Sequence, residues 1–142
     1  MNRLRVIQTV VLLTLVLALL GAQTVERADE GNEVFVPVFA IEDYGDDWII
    51  GDTDNDGTMD YALKLDEFGE KRFEAVDFNR DGLMDDFYVY RGGVLAAEQL
   101  DTNFDGQIDL WIHMHDGVRV AGYERDLDFD GEIDLVKEFG DS

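Results

Sequence analysis

Asp52-Thr53-Asp54-Asn55-Asp56-Gly57-Thr58-Met59-Asp60 places acids at positions 1, 3, 5 and 9 of a nine-residue stretch, with glycine at position 6. Oxygen groups at positions 1, 3 and 5 of a tight loop converge on one point, position 7 adds a backbone carbonyl, and glycine permits the turn that brings the two halves together. Such a set of hard oxygen donors suits a divalent cation of the alkaline-earth kind. Without one the carboxylates repel: two unit charges 4 Å apart cost about 4 kcal/mol at an intermediate dielectric. The same stretch recurs three times, as Asp77, Asn79, Asp81, Gly82 and Asp85; as Asp101, Asn103, Asp105, Gly106 and Asp109; and as Asp126, Asp128, Asp130, Gly131 and Asp134. The carbonyl position falls on Thr58, Leu83, Gln107 and Glu132.

Six or seven oxygens favour Ca²⁺ over Mg²⁺, which wants a smaller octahedral cage and keeps its waters. Positions 1 to 6 resemble the EF-hand loop. That family closes its site with a glutamate at position 12, where this chain has Leu63, Tyr88, Ile112 and Lys137. The closing acid stands at position 9 instead. The resulting D-x-[DN]-x-D-G-x-x-D form is similar to the calcium loops of FG-GAP repeats in integrin-type propellers, and to thrombospondin type 3 and related EF-hand-like repeats of exported bacterial proteins. The resemblance covers residues 52–134 as loops. It implies up to four Ca²⁺ ions, with Asp60, Asp85, Asp109 and Asp134 as bidentate ligands. The competing explanation is a set of Asx-turn corners whose Asp and Asn cap backbone groups; it accounts for those residue types but not for the full spacing with glycine and the ninth acid.

The copies start at residues 52, 77, 101 and 126, spacings of 25, 24 and 25, and this regularity predicts one supersecondary unit per period. The segments between them, 61–76, 86–100 and 110–125, are 15 or 16 residues long, rich in Val, Ile, Tyr, Phe and Trp, and carry central glycines at Gly69, Gly92-Gly93 and Gly117. Two short strands around a glycine turn fill that length, and Asp116-Gly117 is a strong hairpin signal. Tyr61, Leu63 and Leu65 share a face, as do Tyr88 and Tyr90, and Leu110, Ile112 and Met114. Residues 34–41 and 48–51 read as a further hairpin, and Leu135 to Phe139 as a last strand. The fold predicted is all-β, an antiparallel meander of tandem hairpins with roughly ten short strands, joined by cation-binding loops. A propeller blade would need a longer period.

The chain has 142 residues, a formal charge of −22 and no cysteine, so disulfides, thiolate nucleophiles and Cys-based metal sites are excluded. So strong an acidity argues against nucleic acid and against anionic lipid as partners. Hydrophobic residues at 46% argue against a disordered acidic chain, and close to half of the acids lie in the four loops. Arg3 and Arg5 precede an apolar run over 6–20, then Gly21 and Ala22. This is the layout of a secretory signal, or of an N-terminal anchor through residues 4–22 if it is retained. The expected organisation is a signal or anchor helix over 1–22, a flexible linker over 23–33, and a repeat domain over 34–142. The location expected is exported, at the periplasm, cell surface or outside.

No nucleophile with a neighbouring base and no phosphate-cradling loop is visible, so no enzymatic activity is expected. His113 and His115 alternate on one strand and read as a partly exposed face. Trp48 and Trp111 read as packing residues rather than a carbohydrate platform. The function expected is an exported calcium-stabilised structural or interaction module, with metal binding coupled to folding and a protein partner possible at the cell envelope. A dockerin-like partner-binding module is the alternative, although dockerins set two loops between helices and here four stand between strands.

Overall fold

The structure, a computed structural model, describes residues 35–140. The segments expected as signal or anchor (1–22) and linker (23–33) lie outside the described residues. Among the described residues no helix is long and apolar enough to cross a membrane. Eight strands form one sheet in chain order, every neighbouring pair antiparallel: β1 (Ile49–Gly51), β2 (Tyr61–Leu65), β3 (Lys71–Val76), β4 (Asp86–Arg91), β5 (Val94–Leu100), β6 (Leu110–His115), β7 (Arg119–Arg125) and β8 (Leu135–Glu138). The all-β meander expected from the repeat is present.

A meander sends alternate connections to opposite ends of its strands. The glycine turns after β2, β4 and β6 therefore share one edge. The connections after β1, β3, β5 and β7 share the other, and these are the four acidic stretches, here loop 1 (52–60), loop 2 (77–85), loop 3 (101–109) and loop 4 (126–134). Each hairpin slips register next to its turn, at Lys64/Leu65, Val89/Tyr90 and His113/Met114. Such irregularities twist the strands locally and absorb the tight reversal.

Strand alternation gives the sheet two unlike faces. One carries Ala62, Phe73, Ala75 and Phe87, all buried, and Met84 of loop 2 joins them. Residues 35–48 lie across it. Phe35 meets Phe73 at 4.8 Å between ring centroids, Phe39 meets Phe87 edge-on at 5.2 Å, and Trp48 stacks near Phe73 at 6.3 Å. This lid is fastened by the Met84 amide, which donates to the Phe39 carbonyl at 2.8 Å, by a single bridge between Ala40 and Leu83, and by Lys64 with Asp47 at 2.7 Å.

The lid corrects one expectation. Residues 34–41 and 48–51 were expected to pair as a hairpin, but residues 35–48 form no strand, with only a 3₁₀ turn at Ile41–Asp43, and β1 stands alone on β2. The described residues thus hold eight strands, not ten. Burial decides it: a further edge strand would leave the apolar face wet, whereas a lid places Phe35, Phe39, Ile41, Tyr44 and Trp48 on it. Trp48 packs against this core, as expected; Trp111, farther along the sheet, is likewise partly buried.

Candidate metal centre

The four loops share one conformation. The residue at position 4 is left-handed in each, at Asn55, Arg80, Phe104 and Phe129 with φ from 61° to 66°, and the glycine at position 6 has φ of 97°, 93°, 84° and 89°. A side chain at any of those glycines would meet no atom within 4 Å, so backbone conformation rather than space calls for glycine there.

Carboxylates fasten this backbone. At position 1, Asp52 accepts the amides of Asp56 and Gly57, and Asp77, Asp101 and Asp126 likewise accept the glycine amide of their own loops at 2.7–2.8 Å. At position 5, Asp56, Asp81, Asp105 and Asp130 accept the position-7 amides of Thr58, Leu83, Gln107 and Glu132 at 2.7–3.0 Å. At position 9, Asp60, Asp85, Asp109 and Asp134 reach back to accept the amides of Thr53, Phe78, Thr102 and Leu127 at 2.7–2.9 Å. Thr53 and Thr102 also donate their hydroxyls to Asp60 and Asp109, both at 2.7 Å. The Thr53 hydroxyl is the main reason the Asp60 carboxyl lies below its ordinary range. Position 9 is thus the clamp that holds the start of each loop against its end, a role the spacing alone did not reveal. The signal for it was a threonine at position 2 in two of the four copies.

Adjacent loops are also joined. The position-1 amides of Asp77, Asp101 and Asp126 donate to the position-9 carbonyls of Asp60, Asp85 and Asp109 in the preceding loop at 2.9–3.0 Å. The loops therefore form one continuous row along the sheet edge.

Carboxylates converge where position 3 is aspartate. In loop 1, one oxygen from each of Asp52, Asp54 and Asp56 lies within 4.8 Å of the others, and in loop 4 the same holds for Asp126, Asp128 and Asp130. The neighbouring charges of Asp130, Asp134 and Asp126 push the Asp128 carboxyl above its ordinary range, as expected where anions crowd. Loops 2 and 3 carry asparagine instead, and Asn79 and Asn103 donate their side-chain amides to Asp81 and Asp105 at 3.0 and 2.9 Å. Each amide N–H bridges positions 3 and 5 and leaves less repulsion there to offset. The donor sets of loops 1 and 4 fit a hard divalent cation: three anionic oxygens in reach of one point, on a backbone already shaped around them.

One residue in this row went unnoticed in the spacing. Arg80, at position 4 of loop 2, turns its guanidinium to Asp54 of loop 1, Nη1 to Oδ2 at 2.6 Å. It is the sole Lys or Arg in the four nine-residue stretches, which was the available clue.

Away from the loops, the face opposite the lid holds a second polar group. Tyr61 and Tyr90 donate to the two oxygens of Glu74, each at 2.6 Å, and Lys71 donates to both. Beside it, Tyr88 donates to Asp86 at 2.6 Å, while the other Asp86 oxygen is buried with no hydrogen-bond partner. Burial, with Glu98 close by, pushes Asp86 up to about 6. His113 pairs with Glu124 at 2.9 Å and His115 with Asp116 at 3.3 Å, all four well exposed to solvent. The histidines do not converge with a third ligand among the described residues.

No protein-family model matches the chain, and no curated protein is similar to it in sequence. Among solved structures the chain is similar to one described as the crystal structure of accessory secretory protein 1, 2 and 3 in Streptococcus pneumoniae, at 14% identity and a TM-score of 0.43, over 70% of this chain and 21% of that one. This chain thus spans about a fifth of that protein, and a likeness so distant carries no statement about function.

Proposed function

We propose that the protein binds Ca²⁺ in its loop row and that the ions stiffen the loop edge of an exported structural or interaction module. The observation that carries this reading is the convergence of three carboxylates within 4.8 Å in loops 1 and 4, on a nine-residue frame repeated four times. Positions 3 and 5 are exposed to solvent in every loop, so an ion has open access. Ligands come from positions 1, 3 and 5, from the position-7 carbonyl, and from the position-9 carboxylate, whose oxygens retain free lone pairs beyond the amide bonds they accept. Outside a cell calcium is plentiful, so sites of about 10⁻⁴ to 10⁻³ M stay filled. Export rests on the basic and apolar start of the sequence.

A second reading is that the loops are hydrogen-bonded corners that need no metal. The amide bonds to positions 1, 5 and 9 favour it, since these alone hold the loop conformation. Calorimetric titration of chelator-treated protein separates the two. Calcium binding should release heat and raise the melting temperature, and Asp130→Ala should remove one ion from the stoichiometry. No uptake at millimolar calcium, together with an unchanged melt, would leave the corner reading standing.

A further inference from the structure

Loops 1 and 4 have the same acids at positions 1, 3, 5 and 9; loop 4 adds Glu132 at position 7, and only in loop 1 does the apex of the next loop reach in. Asp54 uses Oδ1 to accept the Asp56 amide at 3.1 Å, and its remaining oxygen, Oδ2, holds the Arg80 guanidinium. A cation drawing on position 3 therefore meets the guanidinium at the same carboxylate. The Arg80 side chain is 62% exposed, but its backbone holds it beside loop 1. Its backbone is fixed at φ 66° as the left-handed apex of loop 2, and its amide donates to Asp77 at 2.6 Å. Loop 2 is bonded in turn to loop 1 through the Asp77 amide and the Asp60 carbonyl.

We infer that Arg80 is a built-in competitor for the loop 1 cation, so that loop 1 binds more weakly than loop 4 although their ligand acids are the same. This inference rests on the calcium reading above. A guanidinium is charged at every relevant pH and cannot give up its place by losing a proton. A divalent ion entering loop 1 must therefore displace it from Asp54 or bind beside it against like-charge repulsion. The competition is reciprocal: whatever weakens the Arg80–Asp54 pair strengthens the site. Loop 4 has no such rival: among the described residues no Lys or Arg pairs with Asp126, Asp128, Asp130 or Asp134.

The test follows the amides of Gly57, Gly82, Gly106 and Gly131, one per loop, by NMR while the full chain is titrated with calcium chloride. In the unaltered protein the Gly131 signal should reach its midpoint at lower calcium than Gly57. Arg80→Asn suits the backbone, since loop 1 holds Asn55 at the equivalent place with φ 61°. It should lower the Gly57 midpoint by about three- to tenfold and leave Gly131 within about twofold. Arg91→Asn, which removes one positive charge at the far edge of the sheet, should leave Gly57 within about twofold. Equal midpoints for Gly57 and Gly131 in the unaltered protein overturn the inference without any variant. So does a Gly57 midpoint unmoved by Arg80→Asn, or one moved as far by Arg91→Asn. If none of the four amides responds to calcium, the calcium reading itself has failed, an outcome distinct from these.

Discussion

The two ends of this sheet are built from one repeat and are packed differently. Phe87, the second residue of β4 after loop 2, and Trp111, the second residue of β6 after loop 3, occupy the same place in the repeat, as do Phe73 in β3 and Gly122 in β7. Phe87 and Phe73 are buried beneath the lid, whereas Trp111 keeps part of its surface exposed and Gly122 offers no side chain. At position 8 only Met84, under the lid, is buried, at 1% exposed; Met59 of loop 1 and Ile133 of loop 4 are 45% and 40% exposed. In β8 every residue is exposed. The repeat supplies strands, turns and loops equally along its length, but among the described residues only 35–48 supply a second layer, and that layer covers β2 to β4. Backbone pairing and loop chemistry make the C-terminal strands, and apolar burial makes the N-terminal ones.

Truncating the two equivalent aromatics tests this most severely. Phe87→Ala empties a site lined by Phe35 and Phe39 and should cost about 3–5 kcal/mol. Trp111→Ala removes a partly exposed side chain that no residue of 35–48 covers and should cost less, about 1–3 kcal/mol. Urea denaturation of both variants at one fixed calcium level measures the pair. Similar losses would mean that the sheet is stabilised evenly and that the lid is not the main source of its stability.

A buried charge sharpens the contrast next. Asp86 follows loop 2 as the first residue of β4, and its repeat equivalents are Tyr61, Leu110 and Leu135. Burial pushes its carboxyl up to about 6 from an ordinary 3.8. Within that window the folded chain keeps a proton that the unfolded chain releases. Asp86 is thus tolerated at the acid end, and its cost to stability grows as pH rises, complete above about pH 6. Asp86→Asn should equal the parent near pH 4 and exceed it by about 1–2 kcal/mol at pH 8, with calcium held constant. A difference that does not change with pH would show that Asp86 ionises freely in the folded state.

What the sequence discloses follows from which interactions are local. The loops were legible because each is a closed chemical unit: Asp at positions 1, 5 and 9 and glycine at position 6 bond within nine residues. The meander was legible because a 24- or 25-residue period leaves room for just one hairpin between loops. The lid was not. Phe35, Phe39 and Ile41 have strand-like composition, and only the apolar face made by Ala62, Ala75 and Phe87, farther along the chain, decides that they cross the sheet instead of extending it. Arg80 was missed for a related reason. Its partner Asp54 is 26 residues away, and the two meet only because consecutive loops stack. The position-9 aspartates were read by analogy as ligands, and their hydrogen bonds to position 2 needed coordinates to be seen.

The smallest expected effect bears on the lidless end alone. Gly122 of β7 stands where β3 has Phe73, and a methyl group there would sit 2.6 Å from the Lys137 carbonyl oxygen of β8 and 3.3 Å from the Glu138 Cα. Those are backbone atoms that no side-chain rotation can clear, so β8 must shift outward. Because β8 is paired to β7 and covered by no lid residue, the shift can stay local. Gly122→Ala should cost about 1 kcal/mol, and amide exchange should quicken over residues 135–138 while β2 to β4 keep their protection. Loss of protection in the lidded strands as well would show that the two ends unfold as one unit. In that case the packing gradient would describe where side chains lie without dividing the sheet's stability.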